Sequence, residues 1–125
     1  MPDSKAVILV VEDQAIIRMG AVALVVEAGY DALEAEDADE AIRILEARTD
    51  IRLVFTDVDM PGTMDGMKLT HYIRKRWPPV KLLVASGMMI LKESEFPEGA
   101  KFFPKPYSEQ KIVEAITALL GEPAI

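Results

Sequence analysis

The chain has no cysteine and a single histidine, His71, among its 125 residues. Without thiols it can form neither disulfides nor thiolate metal sites, and one imidazole excludes any multi-histidine centre; a reducing, cytoplasmic setting fits this composition. Basic residues are outnumbered, 14 against 21 acidic, for a net charge of −7. Phosphate binding concentrates Lys and Arg, so direct nucleic-acid binding is not expected. Long apolar runs are also missing. No stretch approaches the roughly 20 apolar residues that cross a bilayer, and the N-terminal "MPDSKAVILVVEDQ" holds an apolar run too short for a signal peptide. No membrane insertion is expected. Repeats, low-complexity tracts and linkers are absent as well. Half of the residues are apolar, enough for one core, and residues 1–125 read as a single domain with its body over about residues 5 to 120 and a short tail at 121–125.

What is present alternates. Ala6 to Val11 is a continuous apolar run bounded by charge, as in a strand buried on both faces. A helix is expected to follow, with Ile17, Ala21, Leu24 and Ala28 at helical spacing, Asp13 as its cap and Gly29 at its end. Tyr30 to Ala35 reads as a short edge strand. Asp37 and Glu40 have capping-box spacing, and Ala38, Ala41, Ile42 and Leu45 form the face of a second helix. Residues 52–56 make a third strand. Asp65 is placed to cap a helix whose Leu69, Tyr72, Ile73 and Arg76 share a side, and Trp77-Pro78-Pro79 ends it. Val80 to Ala85 is another strand apolar on both sides, and Lys101 to Phe103 is a short fifth. Ser108 caps a last helix with Ile112, Val113, Ile116, Leu119 and Leu120 facing inward. Between Met88 and Ala100, Pro97 and Gly99 leave room for about two turns, so the fourth helix is expected to be short or irregular. Five alternating units predict a doubly wound parallel sheet with helices on both faces.

Ligands of open parallel sheets gather beyond the carboxyl ends of the strands. Applied here, that rule brings together Glu12 and Asp13 after the first strand, Asp57 and Asp59 at the third, Ser86-Gly87 at the fourth and Lys105-Pro106 after the fifth. An ionised carboxylate at the edge of a core is costly unless something positive compensates it. Four clustered carboxylates with oxygen donors suit a hard divalent cation, and Mg2+ accepts a few carboxylates together with waters and a phosphate.

These residues carry a family resemblance. With Glu12-Asp13, Asp57 followed by Met60-Pro61, Ser86-Gly87 and Lys105-Pro106 in order, each at its strand end, the chain resembles a receiver domain of two-component response regulators, CheY-like, of the stand-alone type. The resemblance implies a flavodoxin-like sheet of order 2-1-3-4-5. It also implies a phosphorylation-activated signalling switch rather than a turnover enzyme, with slow autodephosphorylation. Asp57 would accept a phosphoryl group from a histidine kinase or a histidine phosphotransfer protein. Asp13 and Asp57 would bind Mg2+ through side chains and Asp59 through its backbone carbonyl, while Glu12 would hold the metal's waters. Lys105, next to a bond that is usually cis in the family, would neutralise the transferring oxygens. Ser86 would turn its hydroxyl toward the phosphoryl group, and Phe102 would rotate inward behind it. In receivers the first helix docks the kinase's phosphotransfer helices; here "AIIRMGAVALVVEAG" carries only Arg18 and Glu27 as charges, so Ile16, Val22 and Val26 are candidates for partner surface, with extra core contact as the alternative.

Three departures and three rivals bear on that reading. "PGTMDG" has one residue more than the commonest receiver loop, and the region after Ser86 is shorter than usual, which weakens the expectation of the family's standard dimer face. In receivers the positions of Asp59 and Met88 influence hydrolysis of the phosphoaspartate, and the opposing polarity and bulk of these two residues point to no single lifetime. Asp57-Val58-Asp59 matches the DxD of haloacid-dehalogenase-like phosphatases, but those place it on the first strand. A Toprim-type nuclease site would use Glu12, Asp57 and Asp59 and leave Ser86 and Lys105 idle. A degenerate receiver used only for binding would not need the complete acid set. His71, in mid-helix, reads as solvated. After Leu120 only Gly121 to Ile125 remain, so output is expected through contact with a protein of unknown identity, or through competition for phosphoryl groups as a sink.

Overall fold

The apolar runs and helical periods read from the sequence become strands and helices in the order they were read. The computed structural model describes residues 5–58, 66–86 and 96–121. Its elements are β1 (Val7–Val11), α1 (Ala15–Glu27), β2 (Asp31–Ala35), α2 (Ala38–Ala47), β3 (Ile51–Asp57), α3 (Gly66–Arg76), β4 (Lys81–Ser86), β5 (Lys101–Pro104) and α4 (Glu109–Leu120). All pairings are parallel, in the order β2-β1-β3-β4-β5. The expected doubly wound, flavodoxin-like sheet is therefore observed.

Successive side chains of a strand point to opposite faces, so each two-sided apolar strand supplies two cores. On one face Val7, Leu9, Val11, Val54 and Leu82 meet Ala41 and Leu45 of α2 and Leu69 and Ile73 of α3. On the other, Ile8, Val10, Leu53, Phe55 and Leu83 meet Ala21 and Val25 of α1 and Ile112 and Ile116 of α4. A register shift between Val7 and Ile8 lets β3 keep Arg52 exposed while Ile51 and Leu53 face opposite cores. β2 is the exposed edge that its mixed sequence suggests.

Helix ends follow the expected chemistry with two corrections. Asp37 accepts from the Glu40 N–H at 2.8 Å and Ser108 from that of Lys111, and Gly29 leaves α1 with φ 102°. Glu40, however, reaches back to the N–H of Glu36, not Asp37. Asp13 does not cap α1: Gln14 precedes the helix and makes no side-chain cap bond. The Asp13 carboxylate lies instead beside those of Glu12 and Asp57. The proposed Asp65 cap lies outside the described residues, as do Asp59, Met60, Pro61, Gly87, Met88, Met89 and most of the short fourth helix expected over Met88 to Ala100. From Phe96 onward that stretch forms a turn, Ala100 N–H to Pro97 O at 3.1 Å. No helix among the described residues is long and apolar enough to cross a membrane.

Candidate functional site

Three strand ends and one loop converge at the carboxyl edge of the sheet. β1 runs directly into Glu12 and Asp13, whose geometry is fixed by a Glu12 N–H bond to Ala35 O of β2 at 3.0 Å. β3, central in the sheet, delivers Asp57, which is 6% exposed. β4 ends in Ser86, fully buried, and its carbonyl accepts the Lys105 N–H at 2.8 Å. That bond sets the loop after β5 against β4, with a cis bond between Lys105 and Pro106. The Lys105 ammonium then lies 2.9 Å from Asp57 Oδ2. One positive group that the charged strand end requires is thus supplied by a residue 48 positions away, from 57 to 105.

The second requirement is visible in the acids. Carboxylate oxygens of Glu12, Asp13 and Asp57 lie within 4.8 Å of one another. Asp13 Oδ1 is buried with no hydrogen-bond partner, a costly state for an acceptor unless a cation meets it. An all-oxygen donor set with an orphaned carboxylate oxygen fits a hard cation. Burial pushes the Glu12 carboxyl from its ordinary 4.5 up to about 7; the Gln14 N–H opposes the shift, and the Asp57 charge reinforces it. The proton thus relieves repulsion that a cation would otherwise relieve.

That shift gives a pH dependence. Because the folded value lies above the unfolded one, the folded chain binds the extra proton, and the associated stability is full below about 4.5 and lost as pH rises through about 7. With a chelator present, melting temperature is expected to decline across that window, and Glu12→Gln is expected to flatten the decline. An unchanged slope in the variant would assign the effect to another group.

Tyr107 forms a further wall of the site. Its ring packs at 5.9 Å from that of Phe55, and it shares a small cavity of about 10 Å³ with Val10, Glu12, Phe55, Asp57 and Lys105. This is room for a single water-sized species. Burial raises the Tyr107 pKa above its ordinary 10.0 against the pull of Lys105. Phe102 lies on the opposite face of β5 from Phe103; it is half-buried and stacked on Phe96 at 5.2 Å. His71 is exposed on α3.

The structure brings together Glu12, Asp13, Asp57 and Lys105, and puts Ser86 at the adjoining strand end. Three contributors were not foreseen as site residues. Arg18 bonds the Glu12 carbonyl at 2.8 Å; its signal was a lone base on an apolar helix, just after the acid pair. Tyr107 follows Lys105-Pro106 directly. Gly66 packs against the Asp57–Val58 backbone, and its signal was the Asp-Gly step after the third strand.

The model of the response regulator receiver domain matches residues 8–117. This chain belongs to that family. The receiver is 35% identical over 122 residues to the sensor kinase CckA of Brucella abortus (strain 2308), covering 92% of this chain and 12% of that protein. It is 34% identical over 116 residues to the chemotaxis protein CheY of Thermotoga maritima, covering 87% of this chain and 92% of that one. A solved receiver domain from Clostridium thermocellum superposes with a TM-score of 0.83 at 28% identity, covering 93% and 94% of the two chains. The chain spans 12 to 47% of the length of several curated relatives, that kinase among them. Receiver domains are signalling switches turned by phosphorylation, served by histidine kinases. Nothing in these likenesses favours the haloacid-dehalogenase reading, whose first-strand DxD is at odds with Asp57 at the end of β3.

Proposed function

We propose that Asp57 is the phosphoryl acceptor of this receiver, in a Mg2+-dependent reaction with a histidine kinase or a histidine phosphotransfer protein. The observation that carries this reading is the Lys105 ammonium at 2.9 Å from Asp57 beside the Glu12–Asp13 pair. A carboxylate oxygen of Asp57 attacks phosphorus in line, the P–N bond of the phosphohistidine breaks, and the imidazole keeps the electron pair and is reprotonated by solvent. Asp13 and Asp57 would hold the cation through their side chains and Asp59, which lies outside the described residues, through its carbonyl, while Glu12 would hold the cation's waters. Bound there, Mg2+ supplies positive charge to the transferring oxygens.

Lys105 moves its ion pair from the carboxylate to a phosphoryl oxygen, and Ser86 donates its hydroxyl to another. An acyl phosphate adds charge and acceptor oxygens, which these groups read. Driving a two-state equilibrium from mostly off to mostly on takes about 5.5 kcal/mol of differential stabilisation, which is several charge-assisted bonds rather than one hydroxyl. Phe102 follows Ser86 inward, leaving its stack on Phe96. Slow autodephosphorylation resets the switch. The exposed apolar face of α1, with Ile16 83%, Met19 65% and Val26 52% exposed, receives the partner's phosphotransfer helices. Met19 stands there in place of the half-buried Val22. Output is by protein contact or by competition for phosphoryl groups.

Incubation with acetyl phosphate or phosphoramidate and Mg2+ is expected to add one phosphoryl group by intact mass, and EDTA to prevent it. Sustained turnover of a phosphomonoester without an adduct would instead reveal a phosphatase.

A further inference from the structure

The three convergent carboxylates need more than strand ends to hold them together, because like charges within 4.8 Å push apart. The backbone between β1 and α1 must resist that push. Glu12 is tied at its N–H to β2 through Ala35 O. Its carbonyl accepts a 2.8 Å bond from Arg18 Nη1, while Arg18 Nε donates to Glu34 Oε1 at 3.0 Å. The Arg18 side chain is only 16% exposed, and among the described residues it lines a cleft together with the acids Glu34, Glu36 and Glu40. The planar guanidinium therefore joins three elements: α1, from which it springs, β2 through Glu34, and the peptide that links Glu12 to Asp13.

We propose that Arg18 is a positioning residue of the cation site: it locks the Glu12–Asp13 peptide so that the Asp13 carboxylate stays beside those of Glu12 and Asp57. This rests on the proposed Mg2+ site. A guanidinium suits the task because its rigid fork serves two acceptors at once, and its bond to the carbonyl is charge-assisted. Fixing the peptide plane between Glu12 and Asp13 fixes the direction in which the Asp13 side chain leaves. Glu34 keeps the fork from swinging toward solvent. The clamp also couples the first turns of α1, with their exposed apolar face, to the acids.

The test is the half-effect concentration of Mg2+, meaning the apparent Kd fitted to the logarithmic rise of melting temperature with Mg2+ concentration, a readout independent of phosphotransfer. Ligand-selective stabilisation of the folded chain makes that concentration a measure of affinity. Arg18→Met keeps most of the apolar stem and removes both bonds; it is expected to raise the half-effect concentration about tenfold, as loss of a ligand-orienting partner does. Arg18→Lys is expected to recover part of this, and Glu34→Gln to cost about twofold, the worth of an exposed ion pair. Asp13→Ala is expected to abolish the Mg2+ response. If Arg18→Met lowers the metal-free melting temperature but leaves the half-effect concentration unchanged, Arg18 is only structural and the proposal is overturned. A wild-type chain that does not respond to Mg2+ would overturn the cation site itself and this role with it.

Discussion

Asp57→Asn is expected to give a folded chain whose mass does not change after incubation with acetyl phosphate and Mg2+. The amide is nearly isosteric with the carboxylate but is neither charged nor nucleophilic toward phosphorus, so loss of labelling should be complete rather than graded. Stability should move little, because two electrostatic effects oppose each other. The substitution removes the attraction of Lys105 at 2.9 Å, and it also removes one of three crowded carboxylates and its repulsion of the others. Lys105, whose side chain is 28% exposed, can turn to water, so the net change should be within about 1 kcal/mol, as for a partly solvated ion pair. Intact mass and thermal melting measured on one preparation separate the two effects. An adduct that persists in Asp57→Asn would move the acceptor to another carboxylate, with Asp13 the first to examine by peptide mapping.

Much of this arrangement was legible because it depends on patterns that local sequence carries. β1 and β4 are apolar on both faces, and only a parallel sheet covered by helices buries such strands. Once the strands are parallel and joined by helices, their carboxyl ends share one edge. Acids after the first and third strands and Lys-Pro after the fifth therefore had to meet. The capping residues Asp37 and Ser108 follow from backbone chemistry within a few positions. What sequence did not reveal depends on partners far along the chain. Asp13 looks like a cap for α1 because aspartate caps helices, but its position beside Glu12 and Asp57 draws it into the acid cluster. Arg18 finds a carbonyl and a glutamate on other elements, and nothing in its neighbourhood announces either. Which side of α1 stays exposed is set by where β1, β2 and α4 press on it. That is why Met19 is exposed while Val22 is half-buried.

Gly66→Ala should be strongly destabilising for a single added methyl, and it should reach the site through backbone alone. Gly66 is buried at the first position of α3, and its N–H bonds Val58 O at 3.2 Å. A Cβ there would overlap the carbonyl oxygen of Asp57 and come to 2.5 Å from Cα of Val58. Both obstacles are main-chain atoms of the strand end that carries Asp57, so no side-chain rotation relieves the overlap. Overpacking that must be absorbed by backbone costs about 3 kcal/mol, which lowers the melting temperature of a chain this size by roughly 10 °C. Gly20 provides the control. It lies in the exposed interior of α1 with nothing within 4 Å of a built Cβ, so Gly20→Ala should stabilise by about 1 kcal/mol through helix propensity and reduced unfolded-state freedom. Opposite signs from two helical glycines would isolate the close approach of α3 to β3 as the cause. The same shift of the Asp57–Val58 backbone should slow labelling by acetyl phosphate in Gly66→Ala at temperatures where it remains folded, with Gly20→Ala labelling at the wild-type rate. A Gly66→Ala protein that melts and labels like wild type would mean that α3 can retreat from the strand without disturbing the acceptor.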